Sequence, residues 1–222
     1  MIRLVAHLSL ALGLLGAVAA SAAGPVLAWA SHDPEGVYCA DPAEIEMVRL
    51  INDFRAGRGL EPLGLSEPLG SAAAHKSQEM ATNEYFTHVS PGGVTPRELL
   101  AAHGYRHNTA TGENIAAGQE RAEATFEQWQ ASAAHRELML DAAFKAIGVA
   151  RAYKVESRYD WYWTAEFGGV LAEPAQPCAA PPGTPESTPG ATPAPADGVP
   201  VELRCEGVRF NDGTYDLTCR PA

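Results

Sequence analysis

Three polar side chains stand out by type. They are His88 in Tyr85-Phe86-Thr87-His88, Glu113 in Gly112-Glu113-Asn114-Ile115-Ala116, and His135 in Ser132-Ala133-Ala134-His135-Arg136. Two neutral imidazoles and one carboxylate, with a fourth position left open, form a known zinc arrangement. A metal held there would lower the pKa of a bound water and generate a nucleophile for hydrolysis. Its ligands must be deprotonated, so such a site weakens as pH falls through the histidine range. Without a metal, the same groups would bond to one another and to backbone, pinning loops as structural polar clusters do. No local spacing rule brings them together; only the fold can.

Other signatures of catalysis are missing. The sequence has no G-x-S-x-G elbow, no H-E-x-x-H, no phosphate-binding glycine loop and no G-x-G-x-x-G. No serine stands in a recognisable nucleophile setting. His75 and Glu79 lie one helical turn apart and read as a surface i,i+4 pair, the nearest candidates for a base beside a metal. Asn114 reads as a loop asparagine bonding backbone. Trp129, Trp161 and Trp163 sit on apolar stripes and read as core. His103 and His107 flank a glycine turn as solvated groups, and Arg97 reads as an exposed helix residue.

The elements that must position these residues can be read in order. Asp41-Pro42-Ala43-Glu44 is a helix start, with an acid at the N-cap, proline at the first helical position and glutamate at N3. Ile45, Val48, Ile51 and Phe54 then recur at helical spacing until Gly57 and Gly59. A second helix is expected from Ser66 to about Asn83, with Leu69, Ala73, Lys76, Ser77 and Met80 on one stripe. Thr95-Pro96 starts a third that stops by Gly104, and a fourth begins near Arg121 with Phe126, Trp129 and Ala133 on one face. Ile147 to Val155 and Trp161 to Val170 are rich in β-branched and aromatic residues and read as strands. Helices first and strands later give an α+β class.

The ends of the chain differ from its middle. Residues 1–30 read as an export signal, with Arg3 before an apolar run and small-residue sites that place cleavage after Ala22 or Ala30. Gly24-Pro25 interrupts the apolar run, so the mature chain is not expected to span a membrane. The main domain is assigned to residues 41–172. Residues 173–200 are dominated by Pro, Ala, Gly, Thr and Ser and read as a semi-flexible linker. Residues 201–222 read as a β-hairpin around Asn211-Asp212-Gly213, where a three-residue loop sets Phe210 against Thr214 and Cys205 against Cys219.

Four cysteines in an exported chain form a disulfide framework. Of the three pairings, Cys39 with Cys178 and Cys205 with Cys219 is the one expected, because each pair flanks a coherent segment. Loop closure would contribute about 3 kcal/mol for the tail and about 5 for the long loop. A net charge of −11 argues against nucleic acid and anionic polymers as partners, and it suits cations.

The ordered motifs also carry a resemblance. Phe86-Thr87-His88-Val89-Ser90-Pro91, then Gly104-Tyr105, then Gly112-Glu113-Asn114-Ile115-Ala116-x-Gly118 resemble the CAP superfamily of cysteine-rich secretory, antigen 5 and pathogenesis-related 1 domains. Trp129-x-x-Ser132-x-x-His135-Arg136, Gly148-Val149 and Tyr162-Trp163-Thr164 with Phe167 extend the match over about Glu44 to Gly169, and its order looks most like the bacterial branch. The resemblance implies a three-layer α-β-α sandwich with a cleft lined by His88, Glu113, His135, Asn114 and Ser132. It also implies a secreted binding or signalling domain more than an enzyme.

On that resemblance His88 and Glu113 match the family's first histidine and glutamate, and His135 the histidine of bacterial members. Ser132 stands where eukaryotic members carry a second glutamate, and Lys145 lies in the region of their second histidine, so the full tetrad is incomplete. Ala165 replaces a common glutamine. Ala133-Ala134 replaces the Pro-Gly of the bacterial Ser-Pro-Gly-His-Arg run, which implies a fourth helix continuing through His135 and re-aiming it.

Three functions follow as expectations. The first is a secreted monomeric module binding a small molecule, lipid, metal or protein through the cleft. The second is a zinc hydrolase using His88, Glu113 and His135. The third is an envelope-attached structural protein. No motif calls for a cofactor, and the donor set would suit a divalent metal such as zinc.

Overall fold

A computed structural model describes residues 36–179 in full, together with backbone strands at Val26–Leu27, Leu203–Arg209 and Tyr215–Pro221. Most of residues 1–30, expected to be an export signal, and most of residues 173–200, expected to be a linker, lie outside the described residues. The strands are β1 (Val26–Leu27), β2 (Cys39–Ala40), β3 (Gly64–Leu65), β4 (Thr111–Ala117), β5 (Ala146–Lys154), β6 (Trp161–Gly168), β7 (Gln176–Pro177), β8 (Leu203–Arg209) and β9 (Tyr215–Pro221). The helices are α1 (Pro42–Ala56), α2 (Glu67–Asn83), α3 (Pro96–Ala102), α4 (Ala122–Ala131) and α5 (Ala133–Met139).

Two helix starts follow from local chemistry alone. Asp41 accepts from the backbone N–H of Ala43 and Glu44 while Glu44 Oε2 accepts from Asp41 N at 2.7 Å, a closed capping box. Thr95 and Glu98 repeat the device for α3. The first box also reaches the sheet, because Arg151 Nε donates to Asp41 Oδ2 at 2.9 Å and Arg151 N to Glu44 Oε1 at 3.0 Å. Asp41→Ala is therefore expected to cost about 2 kcal/mol, the upper end for a lost N-cap. Urea unfolding would show it as a lower midpoint at unchanged m-value.

The central sheet runs β1-β5-β6-β4, with β3 pairing β5 in parallel. Alternation along β5 and β6 divides it into two faces. Ile147, Val149, Trp163, Ala165 and Phe167 point one way, into a core with Met47 and Ile51 of α1, Trp129 of α4, and Leu138 and Met139 of α5. Ala146, Ala150, Ala152 and Tyr162 point the other way, toward α2, where they meet Leu69, Ala72, Ala73 and Met80. This second face is lined with small residues, and α2 lies almost against the sheet. A side-chain carbon built on Gly148 would fall inside contact distance of the Gly70 nitrogen and the Leu69 carbonyl. The result is the expected α-β-α sandwich. Trp129 and Trp163 are fully buried, and Trp161 is half-buried under the guanidinium of Arg151, 4.8 Å from its ring centroid.

The structure revises two local expectations. The fourth helix does not run on: Ser132 takes an extended conformation (φ −84°, ψ 126°), ends α4, and starts α5. Arg136 Nη1 donates to the Gln130 carbonyl at 2.7 Å, and Asn114 Nδ2 to that of His135 at 3.2 Å. These tertiary bonds hold the bend without proline or glycine. Residues 111–117, including Asn114, form a strand and not a loop.

Cys39 and Cys178 are bonded, with Cα atoms 4.8 Å apart, beside the parallel ladder of β2 and β7. In the tail, β8 and β9 pair with Cys205 opposite Cys219, the register a three-residue loop demands. The loop itself and the tail's side chains lie outside the described residues.

Candidate functional site

The face of the sheet toward α2 carries the polar residues. Glu113 of β4 and Glu166 of β6 are direct cross-strand partners. Both side chains stand on that face, and both are buried. His88 comes from the loop after α2, which turns at Glu84 in the left-handed region (φ 55°). Its Nδ1 is hydrogen-bonded to Glu113 Oε1. From α2 itself, Lys76 is buried and donates to the His88 carbonyl at 2.7 Å and to the Tyr85 hydroxyl at 3.1 Å. Tyr85 donates in turn to Glu79 Oε2, to which Ser90 Oγ donates at 2.5 Å. His88 is thus held by its ring and by its backbone, and the loop 84–95 is fastened to α2 and to β4.

Glu166 is the residue that sequence reasoning missed. Burial pushes its carboxyl well above the ordinary carboxylate range, negative charge on Glu113 pushes it further, and Lys76 opposes both. Glu113 Oε2 and both Glu166 oxygens meet no donor from another described group. The raised pKa favours a proton kept on Glu166, which would supply that donor to Glu113. The available signal was a lone glutamate in the aromatic strand Trp161–Gly168, where every neighbour is of core type.

His135 approaches from the other side, on α5. Burial holds its imidazole down at about 3, and the nearby His88 adds to the shift. It is a neutral ring at any pH near 7. His88, Glu113, Asn114 and His135 are between 0 and 2% exposed, so they do not line an open cleft. Only Ser132 of the expected set is half-exposed. Lys145 lies exposed just ahead of β5.

Nor do the donors assemble around a metal. Among the described residues no group of three His, Cys, Asp or Glu side chains is arranged to hold one. His88 Nδ1 is engaged by Glu113, and the second carboxyl in reach, Glu166, is pushed toward its neutral form by burial and by the charge on Glu113. The donor set among the described residues does not fit a resident ion.

Two surface expectations also change. Glu79 does not pair with His75 by hydrogen bond but serves the Tyr85–Ser90 network. His103 is not simply solvated: its Nδ1 lies 2.8 Å from Ser71 Oγ and its Nε2 3.2 Å from His75 Nδ1. Arg97 and His107 are exposed as expected.

Comparison with known proteins decides the family. The pattern of the cysteine-rich secretory protein family, CAP, matches residues 48–167, more than half of the chain. The chain belongs to the CAP family. Its relatives include YkwD, an uncharacterized protein of Bacillus subtilis, 39% identical over 126 residues that make up 57% of this chain and 47% of that one. YlbC, an uncharacterized membrane protein of the same organism, is 31% identical over 107 residues, 48% of this chain and 31% of its own length. The chain thus spans less than half of each of these two relatives. An extracellular SCP-domain protein of Bacillus anthracis shares the fold at TM-score 0.51 and 28% identity, covering 57% of this chain and 40% of that one. An outer surface protein of Borrelia burgdorferi has the same TM-score at 22% identity, over 56% of this chain and 90% of its own, a likeness of fold alone. No described helix of this CAP chain is long and apolar enough to cross a membrane.

Proposed function

We propose that this CAP chain is an exported protein that acts by binding a partner, and that the surface around loop 84–95 is where it binds. One observation carries the reading: every group fit for acid–base work in the cluster, His88, Glu113, Glu166 and His135, is at most 2% exposed. Sealed groups that bond one another cannot take a proton from a substrate in solution. Their hydrogen bonds instead fix the loop, whose outer side presents Val89, Val94 and Pro91 to solvent. Exposed apolar residues on a stiffened loop lose little entropy on docking. Export is supported by the leader-like residues 1–30 and by the extracellular SCP-domain protein of Bacillus anthracis, 28% identical to this chain.

The test is saturable binding of the purified chain to lipid vesicles, envelope extracts and small-molecule panels, repeated with Val89→Asp and Val94→Asp. These variants are expected to weaken binding at least about tenfold, the effect of losing one well-placed apolar contact, with melting unchanged. Esterase or peptidase turnover that disappears in a folded Glu113→Gln variant would overturn the reading in favour of a hydrolase.

A further inference from the structure

A second constellation lies outside the buried cluster. Ser71 and His75 stand one turn apart on α2 and so share a face of the helix. His103, which caps α3 at its C-terminus, lays its ring across both. Its Nδ1 is 2.8 Å from Ser71 Oγ, its Nε2 is 3.2 Å from His75 Nδ1, and the two imidazoles meet edge to face with centroids 5.1 Å apart. Neither histidine takes part in fastening loop 84–95, and the fold does not need the contact for its core.

The spacing has a specific meaning. Two nitrogens bound to one tetrahedral zinc at 2.0–2.1 Å are about 3.3–3.4 Å apart, and about 2.8–3.0 Å when they are adjacent on an octahedral ion. The observed 3.2 Å, a hydrogen bond between the two rings when no ion is present, falls between these values. The rest of the arrangement fits as well. With its Nδ1–H donating to Ser71 Oγ, His103 turns the lone pair of Nε2 toward His75, the tautomer control that supporting hydrogen bonds give to metal-binding histidines. His75, exposed on the helix, needs only to carry its own proton on Nε2 to aim a second lone pair at the same point. An overall charge of −11 favours an approaching cation.

We propose that His75 and His103 form a two-histidine surface site for a divalent transition-metal ion, with solvent completing the coordination and Ser71 orienting His103. With two protein donors it is an open, exchangeable site, unlike a closed structural one. Imidazole donors favour copper(II) over zinc in affinity, so copper(II) is the stronger ligand of the pair.

The full chain, free of affinity tags, would be titrated with zinc sulfate and copper(II) chloride by calorimetry. The copper complex would also be read by electron paramagnetic resonance. The expected result is one saturable site with two-nitrogen coupling in the copper spectrum. His75→Ala and His103→Ala should each weaken it by more than about 100-fold, beyond the about 10- to 100-fold range of a lost supporting contact, and Ser71→Ala should fall within that range. His107→Ala, an exposed histidine packed on Tyr105, should leave affinity unchanged. Absence of saturable binding, or affinity and copper spectrum unaltered in the His75→Ala/His103→Ala double variant, would overturn the proposal. Unchanged melting of that variant without metal separates loss of the site from loss of the fold.

Discussion

Between pH 7 and pH 4 the wild-type domain is expected to lose about 3 kcal/mol more stability than a His135→Gln variant. The unfolded chain takes up a proton on this histidine below its ordinary value of 6.5, whereas burial keeps the folded ring neutral down to about 3. In that window the unfolded state binds more protons, so stability falls with pH by up to about 1.4 kcal/mol per unit from this one group. The neutral amide removes that term and leaves the Asn114 bond to the backbone carbonyl in place. Glu166 works in the opposite sense: its raised pKa makes its contribution full below the ordinary carboxylate range and diminishing as pH rises. It is common to both proteins and cancels in the difference. Urea unfolding at half-unit pH steps would measure the two curves, and parallel curves would refute the assignment of His135 as a buried neutral ring.

Gly148→Ala is expected to destabilise the domain by more than about 3 kcal/mol, beyond ordinary overpacking. The added carbon would meet the backbone of Gly70 and Leu69, which cannot swing aside as a side chain can. Strand β5 and helix α2 would have to separate, opening the alanine-lined face along its length. Gly64→Ala provides the contrast, since there the obstacle is the tip of Leu171, 44% exposed and able to move. The Gly64 variant should cost much less in the same thermal melts. Equal losses would mean that the close approach of α2 to β5 is not what limits residue 148.

Local chemistry was legible in the sequence, and chemistry made by tertiary structure was not. Asp41 with Glu44 and Thr95 with Pro96 announce their helices because helix-start signals close within four residues, and the structure adds Glu98 to the second as a capping box. The apolar periods of α1 and α2 and the strands β5 and β6 follow from repeat alone. Strand β4 escapes because six of its seven residues are buried, three of them the polar Thr111, Glu113 and Asn114, so no alternation marks it. The break at Ser132 escapes because the bonds that hold it come from Arg136 and from Asn114 of β4. The family pattern led to His88, Glu113 and His135, but Glu166 and Lys76 complete the cluster only through cross-strand register and the face of α2. A carboxyl in a strand and a lysine on a helix stripe look ordinary until the sheet places them together.

The joining of Cys39 to Cys178 beside the β2–β7 ladder has a mechanical consequence. The segment 39–178 begins and ends at neighbouring points, so tension applied along the polypeptide passes from one sulfur to the other and bypasses every sandwich element between them, leaving only β1, which precedes Cys39, in line with the load. The 139-residue separation between the two cysteines would add about 460–500 Å of contour if it were drawn out straight. With the bond intact, the same stretch spans 4.8 Å between Cα atoms under load. A domain strung between two anchorages can then be pulled hard while its core, its loop and its buried cluster feel almost none of the force.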